Sequence, residues 1–137
     1  MGMESMGSGL ATRIITISDI KRAFAPSELP VSIPELPCAL VVPADTLYNQ
    51  TFGNAEVIQF RVVILASSAD QPGQLNRLID YIDKSGDDSV YAAIAGDATL
   101  GGAADFTMLM SNTGIGTTQW GGHHFLSTEF LVECQKA

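Results

Sequence analysis

A chain of 137 residues is long enough to bury a core within one domain without disulfide or metal staples. With 46% hydrophobic and 16% charged residues it has the make-up of a folded protein rather than a disordered one, and no apolar run approaches the roughly 18 residues of a membrane-spanning helix. The formal net charge of −8 sets 15 acidic residues against seven scattered basic ones, which excludes a cationic stripe built to grip phosphates.

The opening MGMESMGSGL lacks both the basic start and the apolar stretch of a secretory signal. Residues 1–13 read as a flexible arm ahead of a single domain spanning 14–137. In TISDIKRAFA, Ile17, Ile20 and Phe24 stand at helical spacing behind Thr16 or Ser18 as N-cap, and Pro26 ends the predicted helix. The next stretch, PSELPVSIPELP, has four prolines in twelve residues and is expected to run extended, as a strap laid along the domain.

CALVV, Cys38–Val42, reads as a short buried strand stopped by Pro43, followed by a polar loop that carries Tyr48 and Phe52. EVIQFRVVILAS is the clearest strand, with Ile58, Phe60, Val62 and Ile64 on one face and Gln59 and Arg61 marking the other as partly solvated. SADQPGQLNRLIDYIDKSG predicts a helix capped by Asp70, with Pro72 in its first turn, an apolar stripe of Leu75, Leu78, Ile79 and Ile82, and Gly86 as its stop. A second short helix begins at Asp87 or Asp88, whose charge suits the positive end of the helix dipole, and ends near Gly96. After the turn-rich DATLGG come two long strands. Phe106, Met108 and Met110 share a face of the first; Leu126, Phe130, Val132 and Cys134 share a face of the second, with Ser127, Glu129 and Glu133 on its wet side.

The fold class is therefore α+β: a mainly antiparallel or mixed sheet of about four strands with helices packed on one face. Cys38 and Cys134 lie in apolar, strand-like contexts without CxxC spacing. They read as inert buried thiols, with a disulfide or redox pair as the alternative.

GIGTTQWGGHH, Gly114–His124, invites a chemical reading that its setting does not support. A glycine-rich phosphate cradle needs a following helix whose amides point at the anion, and here the next element alternates with period two. The glycines are expected to form bends or a hairpin turn. His123 and His124 are neighbours on a strand and point to opposite faces, so they cannot share one metal there; one is expected near the core edge and the other in solvent or at a contact. Trp120 either folds back on its own domain or anchors a partner, and Tyr48 and Phe52 pose the same choice. The paired aspartates of GDDS are read as a helix start rather than a Mg²⁺ site. No GxSxG or HExxH is present, so no residue is assigned a catalytic or metal role and no cofactor is expected.

From about Val31 to Glu133 the sequence resembles the tail terminator (tail completion) proteins of long-tailed bacteriophages, especially those of actinobacterial hosts. The stretches that carry the resemblance are LPCALVVPADTLYNQTFGNAEVIQFRVVIL, ADQPGQLNRLIDYIDKSGDDSVYAAIAGDATLGGAADF and the closing GGHHFLSTEFLVE. It implies an α/β subunit of a ring, usually a hexamer, that caps the finished tail tube and offers a surface to the head-side connector. The implied partners are further copies of itself, the major tail tube protein and the head-tail connector or head-closure protein. Genomic DNA would pass through without specific binding, helped by an acidic surface, and no membrane is involved. The implied location is the neck of the virion, after assembly in the host cytoplasm. Tyr48, Phe52, Trp120, His123 and His124 are the expected ring or tube contacts. The nearest alternative is another ring of the phage neck, a head-closure or adaptor protein; a small ligand-binding domain is the more distant one.

Overall fold

The computed structural model describes residues 2–48, 56–68 and 75–136. Five strands form one mixed sheet: β1 (Arg22–Phe24), β2 (Cys38–Tyr48), β3 (Glu56–Ser68), β4 (Phe106–Trp120) and β5 (His123–Lys136). Their spatial order is β1-β2-β3-β5-β4; β1 runs parallel to β2 and every other pair is antiparallel. Among the described residues three α-helices, α1 (Gly2–Ile14), α2 (Leu75–Ile82) and α3 (Val90–Ala95), pack part of their apolar surface against one sheet face. The chain is thus α+β with helices on one side, as its patterning predicts, and has one strand more than expected.

The main core lies between that sheet face and the helices. Ile58, Phe60, Val62 and Ile64 of β3 meet Phe130, Val132 and Cys134 of β5, and above them sit Met6, Leu10 and Ile14 of α1, Leu78 and Tyr81 of α2, and Val90 and Ile94 of α3. The strict alternation along β3 gives its other face to a second, smaller cluster, in which Val63 and Leu65 pack with Phe24, Cys38, Leu40 and Phe125. The proline-rich strap closes this cluster from outside with Leu29, Ile33 and Leu36. Its extended course agrees with the sequence reading, apart from a single 3-10 turn at Pro26–Glu28.

The N-terminal segment departs from expectation. Residues 1–13 are not a flexible arm over their described length: Gly2–Ile14 is a helix whose Met6, Leu10 and Ile14 recur every four residues and are fully buried. The glycines that give the segment a linker-like look serve close packing. A Cβ on Gly7 would stand 2.5 Å from Pro26 Cδ, and one on Gly9 would stand 2.7 Å from Leu100 Cβ.

The predicted helix at 16–24 does not form. Residues after Ile14 descend through turns in which the Ile17 and Ile20 amides bond to the carbonyls of Ile14 and Ile17, and Arg22–Phe24 then joins the sheet. Clustered β-branched residues (Ile14, Ile15, Thr16, Ile17) favour leaving the helix here, and both buried isoleucines still reach the core.

β2 also runs past Pro43, which does not stop it. β1 pairs only with Cys38–Leu40, so Pro43 lies where β2 has β3 alone as a neighbour, and the register with β3 shifts between Pro43 and Thr46.

Over the described residues α2 covers Leu75–Ile82 and stops short of Gly86, and its stripe is rotated. Leu78 and Tyr81 are buried while Leu75 and Ile79 remain exposed. The Asp70 cap and Pro72 fall outside the described residues. α3 is capped by the Ser89 hydroxyl, which accepts from the Ala92 amide, rather than by Asp87 or Asp88.

Candidate functional site

The segment that drew attention in the sequence is the tip of the β4–β5 hairpin. Trp120 pairs with His123 across the two-residue turn Gly121–Gly122, whose φ values of 59° and 82° are those a left-handed turn demands and that side chains resist. Gly114, at φ 87°, sits in a bulge further down β4, where the register shifts between Asn112 and Ile115. Asn112 ties that bulge down: its amide donates to Thr128 Oγ1 and to the Glu129 carbonyl, and its own oxygen accepts from the Gly114 amide. The glycines therefore shape a hairpin.

Trp120 folds back on its own domain. Its indole N–H donates to the Pro30 carbonyl at 2.8 Å and its ring packs against the smaller cluster. The strap and hairpin tip press together so closely that a Cβ on Gly121 would lie 2.7 Å from the Val31 carbonyl oxygen. His123 and His124 are both exposed, so neither takes the core-edge position expected for one of them; His123 stands edge-on to Phe125, with ring centroids 6.4 Å apart.

Tyr48 closes β2 opposite Glu56, which in turn pairs with Lys136. The hairpin tip lies at the other end of the sheet, beyond the pairing of Ser68 with Phe125. The structure therefore separates Tyr48 from Trp120, His123 and His124 by the length of the sheet. Phe52 lies outside the described residues.

A surface missed in the sequence lies along β4, at the edge of the sheet. Phe106, Met108 and Met110 are 47%, 42% and 48% exposed. Their alternation signals a shared face, but pairing puts Phe106 opposite Gln135 and Met108 opposite Glu133, on the side away from the helices. The wet character of Glu133 is visible in the sequence, whereas its register with Met108 is not. Between β4 and α3 runs an apolar groove lined by Tyr91, Ile94, Ala95, Ala98 and the β4 segment 106–109. On the solvent side of the neighbouring strands, Arg61 lies 3.7 Å from Glu129, and Gln59 donates to Glu133. Ser127, expected on this wet side, is buried beneath the hairpin and shares a hydrogen bond with Thr118.

Several other titratable groups are engaged structurally. The Tyr81 hydroxyl donates to Asp19 at 2.5 Å, and burial followed by that bond pushes the phenol well above its ordinary range. Arg77 reaches the same carboxylate at 3.5 Å. Asp88 is shifted upward by partial burial and by the neighbouring Asp19, Asp80 and Asp87 charges. In DATLGG, the Asp97 carboxylate accepts from the Thr99 hydroxyl and from the Thr99 and Gly101 amides, which lowers its pKa.

Cys38 and Cys134 lie in the two different clusters, on opposite sheet faces, and both are free. Desolvation pushes their thiols up to about 12 and about 11. Among the described residues no three His, Cys, Asp or Glu side chains group as metal ligands, and no helix is long and apolar enough to cross a membrane.

No protein-family model matches the chain, and no curated protein matches it.

Proposed function

We propose that this protein is a structural subunit of a bacteriophage tail, forming a ring that caps the completed tail tube and offers the surface joining tail to head connector. The stretches between Val31 and Glu133 that resemble tail terminators support this reading. The exposed edge strand is the structural observation that carries the reading. β4 has 15 residues without one charged side chain, in a molecule of net charge −8, and its Phe106, Met108, Met110 and Ile115 are exposed. Large exposed apolar side chains on an edge strand that carries neither charge nor proline suit a surface that meets another protein. The work of such a subunit is done by fit between surfaces and needs no catalytic group.

Within this reading Tyr48 and Phe52 belong to one contact region. The hairpin tip with His123 and His124 belongs to another, at the far end of the sheet. Trp120 supports the tip from within, so its truncation would act on contacts by loosening the hairpin. A subunit with contacts at both ends of a sheet can touch a tube on one side and a connector on the other, with DNA passing an anionic wall that holds phosphates weakly.

The test is electron microscopy of the purified protein mixed with assembled tail tubes of a long-tailed phage. Density at one end of each tube is expected. Decoration along the tube wall, or bare tubes together with binding to isolated head connectors, would assign the protein elsewhere in the virion.

A further inference from the structure

The sheet has two outer strands, β1 and β4, and among the described residues no strand covers the free side of either. A free strand edge is a row of backbone donors and acceptors, and the occupant that satisfies it is another extended chain. Soluble proteins commonly block such edges with charge, with proline or by brevity, and β4 has neither a charge nor a proline in its 15 residues.

Resting on the ring reading above, we propose that the outer edge of β4 at Phe106–Leu109 receives the β1 edge of a second copy of this chain, so that one sheet continues from subunit to subunit. Three observations select this occupant. The first is length. β4 keeps unbroken register with β5 over Phe106–Leu109 and again over Ile115–Trp120, on either side of the shifts at Met110 and at Thr113–Gly114, and the three-residue β1 matches the shorter of these two regular segments.

The second is facing. Arg22 stacks over the Phe24 ring, whose cluster is on the sheet face away from the helices, the same face that carries Phe106 and Met108. Continuing the sheet with helices kept on one side therefore brings Arg22 beside Met108. It also apposes the β4–α3 groove with the groove at the opposite edge, lined by Ala11, Thr12, Ile15 and Ala23.

The third is charge. Behind Met108 on the same face is Glu133, whereas Lys21 and Arg22 put two of the seven basic residues at the β1 edge. Pairing β4 with a second β4 would bring two copies of Glu133 towards each other, and pairing it with β1 sets a guanidinium there instead. Arg22 is only loosely held at present, 3.6 Å from Glu35 with both side chains half-exposed. Joining opposite edges makes a head-to-tail contact, which closes into a ring when the rotation per subunit allows.

The experiment uses the full chain carrying Arg22→Cys and Met108→Cys, mildly oxidised both in solution and on tail tubes; the native cysteines are buried and stay silent. Within one subunit the new thiols are on opposite sheet edges and cannot join. The expected result is a ladder of linked oligomers from the double variant, a linked dimer from a mixture of the two single variants, and no link from either alone. Met108→Cys linking to itself would overturn the proposal in favour of a two-fold contact. Rings that assemble without any link would refute the edge pairing and leave the ring reading standing, whereas absence of self-association in solution and at tube ends would remove both. Met108→Lys, which places a charge on the exposed edge, should raise the concentration needed for assembly at least about tenfold without altering the circular dichroism spectrum. Unchanged assembly of that variant would equally count against β4 as the contact.

Discussion

At Trp120 a single hydrogen bond and a close backbone approach decide whether the hairpin tip is a free anchor or a closed latch. The indole donates to Pro30, and Gly121 lets the strap carbonyl of Val31 approach. Trp120→Phe keeps most of the ring packing and deletes the donor, leaving a partly buried carbonyl short of a partner. A loss of about 1 kcal/mol in urea unfolding is expected. Gly121→Ala should cost more, because the new methyl meets the Val31 oxygen and the left-handed φ resists a side chain. If both variants unfold at the wild-type midpoint, the tip is not latched.

The thiols give a second prediction at the same scale. Their folded pKa values, about 12 for Cys38 and about 11 for Cys134, lie above the ordinary 9.0. The folded state therefore holds those protons more tightly than the unfolded state. Stability linked to them is intact below pH 9 and is lost as pH rises from 9 towards 12. Ellman's reagent at pH 8 should react with neither thiol in the native protein and with both after denaturation, while fast labelling of the native protein would contradict their burial.

Among the elements, α1 is the sharpest case. Its Met6, Leu10 and Ile14 lie in the main core beside Phe60 and Val62. Leu10→Ala should cost about 2–5 kcal/mol, a large share of the stability of a domain this size, with the loss read from the denaturant midpoint. A flexible arm would tolerate that change without measurable effect.

The same helix shows what the sequence could and could not convey. β3 was legible because alternation over more than ten residues has one interpretation, and the strap was legible because proline excludes helix. α1 was obscured by Gly2, Gly7 and Gly9, residues that lower helix propensity, and the packing of Gly7 against Pro26 and of Gly9 against Leu100 exists only in three dimensions. The 16–24 segment misled in the opposite direction, since Ile17 and Ile20 meet helical spacing yet reach the core through turns. At the candidate site, the Gly-Gly turn could be anticipated from composition and position. The exposed side of β4 could not, because it depends on register with β5, which the alternation of either strand alone leaves open.

For the molecule as a whole, self-assembly sets a net charge of −8 per subunit against an uncharged edge. The local attraction between Arg22 and Glu133 would be a rim pair, worth about 0–1 kcal/mol. Repulsion between several like-charged subunits acts through every solvent-exposed carboxylate, and it shrinks when the screening length falls from about 30 Å at 0.01 M salt to about 3 Å at 1 M. The distributed term outweighs the single pair, so added sodium chloride should strengthen self-association, with larger species growing in light scattering between those limits. Phosphate binding has the opposite dependence, weakening as salt rises, and with only seven scattered cations it has little to lose. The protein should therefore leave duplex DNA unshifted in a gel even at low salt. Assembly that dissolves on adding salt would mean that ion pairs, rather than the neutral edge, hold the subunits together.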